Sequence, residues 1–437
     1  MTGVSKAPAR HLRTDRLPRS FGYLWGGFLL ASTGDGFAYG AVPLLAVVVD
    51  PQPLAVSAVI AANGLPWLLV ALPAGTVADR FERRYVTVVS NTVRVALAAL
   101  LAVLLAVHRL DLVWLLIIVL ANASARATYY SAVQATVPEL APGANLGRAN
   151  ALLGSTEAAS EHLVGPILGA YLFELIRPLP FIGEAATLGA SGLPLARVRS
   201  GSPRSTSARG SVWDGARRLW SDSRLRSLMT LIAVLAGLQG LVSGVLVLVA
   251  TRDWGVAPSE YGVFLAVGAA GNFPGALIAA KVSRWLGGTI ALVLAAFLAG
   301  LCYLVMAAAH RWIFAGAAFF IAGFVIGVGV VVSNTLRQLL APPELMGRIG
   351  AAWRGIAWGA APTGALIAGS LAVVGGLRLP LYLAGGTQCF AVLVLAPALF
   401  RHLGRARDPS PTTKEESPPA TTSTGRRPPP SPSVSHC

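Results

Sequence analysis

The sequence predicts an all-α integral membrane protein with twelve transmembrane helices in two pseudo-symmetric six-helix halves. Three observations predict this class. The 437 residues are 54% hydrophobic and only 12% charged, far more apolar than a soluble chain of this length. The apolar residues gather into twelve runs, and about twenty such residues span a bilayer core of roughly 30 Å. A motif near residue 141 returns 200 residues later, with Ala141-Pro142 and Gly147-Arg148 repeated as Ala341-Pro342 and Gly347-Arg348.

Taken in order, residues 1–20 form a polar leader whose Lys6, Arg10, Arg13, Arg16 and Arg19 hold the N-terminus in the cytoplasm. Residues 21–197 are the N-terminal half, with helices near 21–49, 54–78, 85–107, 112–136, 149–175 and 179–197. The run from Phe21 is too long for a signal-peptide core and reads as a retained first helix. Residues 198–226 are a cytoplasmic linker. Its first part is rich in Ser, Arg and Gly, and Ser211 to Arg226 reads as an amphipathic helix. There Leu219 and Trp220 face the lipid surface and Arg217, Arg218 and Arg224 face anionic headgroups, or else the helix packs on the protein's own cytoplasmic face. Residues 227–402 are the C-terminal half, with helices near 227–250, 260–282, 289–309, 312–335, 349–375 and 380–401. Residues 403–437, rich in Pro, Ser and Thr, form a disordered cytoplasmic tail.

The formal net charge of +16 invites a nucleic-acid reading, and the placement of the cations argues against it. Five arginines fall in external loops (Arg109, Arg177, Arg252, Arg311, Arg378) and three in helices (Arg94, Arg126, Arg354). The remaining 27 Lys and Arg lie on the cytoplasmic side of this topology, as the positive-inside rule requires. Cys302, Cys389 and Cys437 have neither disulfide nor metal-ligand spacing, so no metal and no cofactor is expected. None of the three lysines follows a glycine, which excludes a Walker loop. Any uphill work must draw on a gradient, and one proton crossing about 100 mV supplies roughly 2.3 kcal/mol.

Gly75 to Arg84, GTVADRFERR, is a charged turn between two membrane-length runs. Its pattern G-x-x-A-D-R-x-x-R-R resembles the signature loop of the major facilitator superfamily, in the drug:proton antiporter-3 or enterobactin-exporter-like branch. Gly75, Ala78, Asp79, Arg80, Arg83 and Arg84 carry the match, while Val77 and Glu82 stand where the general pattern has Leu and Gly. The loop from Glu139 through Leu146-Gly147-Arg148-Ala149-Asn150-Ala151 to Gly165-Pro166 resembles the same branch, and the resemblance covers roughly residues 20–400. It implies a monomeric secondary transporter in the bacterial inner membrane, with both termini cytoplasmic. It further implies proton-coupled export of drug-like or natural-product molecules by alternating access. Gly75, Asp79, Arg80, Arg83 and Arg84 then form a conformational latch between the halves. Siderophore or metabolite export and import by symport are the alternatives within transport. A sensor or lipid-handling scaffold is the alternative outside it.

Ionisable groups inside membrane helices are costly and mark function by default. Asp35, Glu157, Glu161 and Glu184 are such carboxylates, all in the first half. Counting about 1.5 Å per residue, Asp35, Arg126, Glu161 and Glu184 all lie roughly 18–21 Å from the cytoplasmic face. Arg126 is therefore placed to meet Glu161, or Glu157 one turn away. Two carboxylates that share one arginine suit proton exchange, because burial and like charge both oppose the second negative charge. These five residues are the proton-coupling candidates, with a static Arg126–Glu161 pair as the alternative. Arg94 either snorkels or pairs across the bundle. His162 points about 100° from Glu161 on an α-helix and reads as packing. In the second half, Phe273, Phe320, Trp353, Arg354 and Trp358 are candidates for a cavity that takes a bulky, weakly polar substrate.

Overall fold

In the computed structural model, the structure describes residues 17–69, 82–143, 145–198, 217, 219–342 and 346–403. These form twelve helical rods: α1 (Arg19–Val49), α2 (Pro53–Leu69), α3 (Arg83–Ala106), α4 (Leu112–Leu140), α5 (Asn145–Glu157) continuing through a π-helical segment (Ala158–Val164) into α6 (Gly165–Leu175), α7 (Leu179–Ala196), α8 (Ser223–Leu248) with a π-helical end (Val249–Asp253), α9 (Pro258–Leu286), α10 (Gly288–Ala308), α11 (Trp312–Leu340), α12 (Met346–Gly375) and α13 (Leu379–Leu403). Nine helices among the described residues are long and apolar enough to cross a membrane. The chain is a multi-pass membrane protein, and the exposed Val, Leu, Ile and Phe side chains along its helices form the surface expected of a body surrounded by lipid.

The 200-residue repeat of the sequence is also a repeat of structure. α4 and α11 both end at a leucine, Leu140 and Leu340, and begin at residues 112 and 312. Capping explains several of the boundaries. The Asp111 carboxylate accepts from the Trp114 amide at 2.8 Å and starts α4, while Asp222 accepts from the Arg224 amide at 2.9 Å and starts α8, each satisfying an orphan donor of the first turn. Gly287, at φ 85°, turns the chain between α9 and α10, a conformation that costs a side-chain-bearing residue dearly.

That cap at Asp222 revises the expected amphipathic helix. Residues 219–221 are helical, the helix breaks at Asp222, and residues 223–226 belong to α8. Leu219 is buried among Leu225, Leu228 and Trp353 rather than facing lipid, while Trp220 is exposed. Residues 211–216 and Arg218 lie outside the described residues, as do most of the leader and the tail from 404.

Close helix approach holds the first half together. Gly36 of α1 lies so near the Ser160 carbonyl and the Gly165 backbone that a Cβ on either glycine would collide with main chain. Such small-residue contacts are the usual means of helix association in lipid, where no hydrophobic drive separates helix from tail. Between the halves, α2 packs on α12 and α6 on α9. The side chain of Pro362 stands 2.7 Å from where a Cβ on Gly64 would lie. Arg252 donates to the Pro51 carbonyl at 2.8 Å and so ties the α1–α2 turn to the end of α8.

Candidate functional site

Asp35, 9% exposed, sits halfway along α1 and is shared by two arginines. Its Oδ1 accepts from Nη2 of Arg94 on α3, and its Oδ2 lies 3.4 Å from Nε of Arg126 on α4. Arg94 is wholly buried. Its Nε also donates to Asn122 Oδ1 at 3.2 Å, one further group of the dense set that an inaccessible guanidinium requires. Asn122 in turn donates to Glu184 Oε1 at 3.0 Å. Arg126 Nη2 donates to Glu161 in the π-helical segment, and Tyr130, one turn along α4, donates to Glu157 Oε2 at 3.3 Å.

The structure thus brings Asp35, Arg126, Glu161, Glu157 and Glu184 into one connected group. Asp35 and Glu161 meet Arg126 directly, Glu157 joins through its proximity to Glu161, and Glu184 joins through Asn122. Arg94 is the member that the sequence reading left outside its candidate set. The clue was its depth: a guanidinium about ten residues into an apolar helix has no nearby water. Asn91 and Asn122 were also missed, since a neutral amide in a membrane helix sends a far weaker signal than a charge. Asn91 donates to the Leu188 carbonyl at 3.1 Å and links α3 to α7.

The π-helical turn changes the geometry expected for His162. Wider winding brings polar atoms of Glu157, Glu161 and His162 within 4.8 Å of one another, where α-helical spacing would point His162 away. This is the grouping among the described residues with the donor types of a metal site. Glu161 is already engaged by Arg126 and His162 packs edge-on to Tyr39, ring centroids 5.4 Å apart, so the three carry no metal assignment.

A cavity of about 120 Å³ opens beside this group, lined by Asp35, Arg126 and Glu184 on one side and by Ser243, Tyr261 and Leu265 of the second half on the other. A second cavity, about 390 Å³, lies inside the C-terminal half, and Trp353 is in its wall. Phe273 and Phe320 line neither cavity and are exposed. The side chains of Arg354 and Trp358 are outside the described residues. Of the signature loop, Gly75, Asp79 and Arg80 are outside them too. Arg83 donates to the Ala135 carbonyl at 2.7 Å and to Glu139 at 2.6 Å, contacts within its own half that pin the start of α3 to the end of α4. Arg84 is exposed.

Comparison with known proteins agrees with this architecture. The chain is 27% identical over 383 residues to the multidrug efflux pump Tap of Mycolicibacterium fortuitum, covering 83% of this chain and 93% of that one. It is 27% identical over 365 residues to Tap of Mycobacterium tuberculosis H37Rv, covering 80% and 86%. Among solved structures, a POT family transporter in complex with 5-aminolevulinic acid superposes with a TM-score of 0.72 at 13% identity, over 87% of this chain and 97% of that one. The nucleoside transporter NupG does so with 0.67 at 12% identity, over 88% and 99%. These two likenesses concern the fold. Residues 24–362 match the family model of the Major Facilitator Superfamily, and the chain, a membrane transporter, belongs to that superfamily.

Proposed function

We propose that this transporter exports lipophilic, drug-like molecules across the bacterial inner membrane in exchange for protons, as a monomer with both termini in the cytoplasm. The observation that carries the reading is the buried group around Asp35. Four carboxyls, Asp35, Glu157, Glu161 and Glu184, stand with two guanidiniums, Arg94 and Arg126. In a low-dielectric bundle an uncompensated charge is expensive. The two surplus carboxyls are therefore the places where protons are taken up and given off, and Asp35, held by both arginines, is where a proton loosens the whole set. The adjoining cavity between the halves supplies a route for those protons.

Alternating access follows if the protonated and deprotonated groups favour different packings of residues 21–197 against 227–402, since a ligand shifts such an equilibrium only through differential affinity. Asp79 with Arg80, Arg83 and Arg84, at the turn that begins with Gly75, forms the latch that closes the cytoplasmic side. The similarity to proteins named multidrug efflux pumps supports the direction and the substrate class.

The test is accumulation of a panel of lipophilic dyes in cells that express the wild type or Asp35→Asn, with and without an uncoupler. The reading expects extrusion by the wild type alone, lost on uncoupling. Equal accumulation under every condition overturns it.

A further inference from the structure

The 390 Å³ cavity shares no lining residue with the charged site, and every residue in its wall lies between Ile232 and Gln388. Its volume falls in the range of small-molecule sites. Most of the wall is Ala, Gly, Leu, Ile and Val from α8, α10 and α11. It runs along α11 from Val325 to Arg337, about 18 Å at 1.5 Å per residue.

Two features set its chemistry. Tyr303 and Gln388 are each 3% exposed and both line the cavity. Gln388 Nε2 donates to the Ala296 carbonyl at 2.7 Å. The Gln388 amide oxygen and the Tyr303 hydroxyl have no hydrogen-bond partner among the described residues. Two polar groups on an otherwise largely apolar wall are a recognition surface for a ligand that carries its own donor. The other feature is charge. Among the described residues no carboxylate lines the cavity, and the Arg337 guanidinium in its wall lies 5.7 Å from the Trp353 ring centroid. The described wall offers a cation no carboxylate and carries a guanidinium of its own, whereas a flat apolar body fits against Trp353 and the small residues of α10.

We propose that this cavity is the ligand site, and that it takes an elongated, uncharged amphiphile with a hydroxyl- or amide-type head at Tyr303 and Gln388 and an aromatic body toward Trp353. The assignment names the substrate class and seat for the export proposed above and rests on that reading for transport alone. Because the site is apart from Asp35, ligand and proton do not compete for one group. Their coupling runs through the movement of the halves.

The test uses the full chain, purified in lipid nanodiscs, and two probes: neutral N-phenyl-1-naphthylamine and the permanent cation ethidium. Binding is read by quenching of tryptophan fluorescence. The neutral probe is expected to bind more tightly than ethidium. Tyr303→Phe and Gln388→Met should weaken it about two- to tenfold, the worth of one hydrogen bond. Gly329→Leu fills the cavity and should weaken it more. The thermal unfolding midpoint of each variant is read alongside, so that a loss of binding counts only in protein that melts as the wild type does. Undiminished binding by Gly329→Leu and Tyr303→Phe, or no binding by the wild type, overturns the assignment. Loss of binding in the cavity variants without any wild-type efflux would sink export and leave the site standing. Unchanged efflux of the same probe by Gly329→Leu would do the reverse.

Discussion

Arg94 is wholly buried and touches Asp35, Asn91 and Asn122 at once. Removing it leaves Asp35 with Arg126 alone, and breaking a buried pair costs about 3–5 kcal/mol. Arg94→Gln should therefore lower the thermal unfolding midpoint in detergent markedly and abolish efflux. Arg94→Lys should not rescue it, because an ammonium cannot spread donors over three partners as a planar fork does. A melting curve unchanged by either substitution would contradict the network. Asp35, Arg126 and Glu161 were legible from depth alone, because charge in an apolar run is conspicuous and helix rise converts position into height. Glu184 was legible as buried, but its tie through Asn122 was not, since nothing in a sequence says which way an amide points.

At the scale of the element, helix placement was readable to within a few residues almost everywhere, because apolar length is a strong signal in a membrane. The π-helical turn at Ala158–Val164 was not readable. Hydrophobic spacing there is compatible with an α-helix, and the departure accompanies the backbone contact of α1 with Ser160 and Gly165. Such turns often occur at functional sites, and this one presents Glu161 to Arg126. Gly165→Leu should disrupt the α1–α6 approach and lower stability or expression severely, as overpacking against main chain leaves nothing to yield. Gly154→Ala, with open space around it, should be neutral or stabilising by up to about 1 kcal/mol. Fluorescence-detected size-exclusion chromatography of the two variants separates these outcomes, and a well-folded Gly165→Leu would contradict the packing described. For the linker helix two outcomes were open, and the buried Leu219 matches the one in which the segment packs on the protein, while the break at the Asp222 cap was not foreseen.

For the whole molecule, the repeat at an offset of 200 made the two-half plan visible before any coordinate, and α4 and α11 reproduce it. What the repeat conceals is the division of labour. The first half carries the buried carboxylates, and the second carries a cavity without any. The halves touch where Gly369 meets Ser57 and Leu54, and alternating access requires that contact to open. A Gly64→Cys/Pro362→Cys pair at the same α2–α12 approach, where the Pro362 Cβ stands 3.7 Å from where a Gly64 Cβ would lie, should oxidise readily in a Cys437→Ser background. Oxidation should stop transport, and a reductant should restore it. Transport that continues with the cross-link formed would mean that this contact does not move.

Exchange of protons against substrate at the group around Asp35 is the step on which the proposed export depends. It is tested most directly in proteoliposomes holding a pH-sensitive dye, with a proton gradient imposed and N-phenyl-1-naphthylamine then added. The probe should accelerate collapse of the gradient with the wild type, and Asp35→Asn should abolish this acceleration. Probe transport by the wild type with no accompanying proton movement would contradict it.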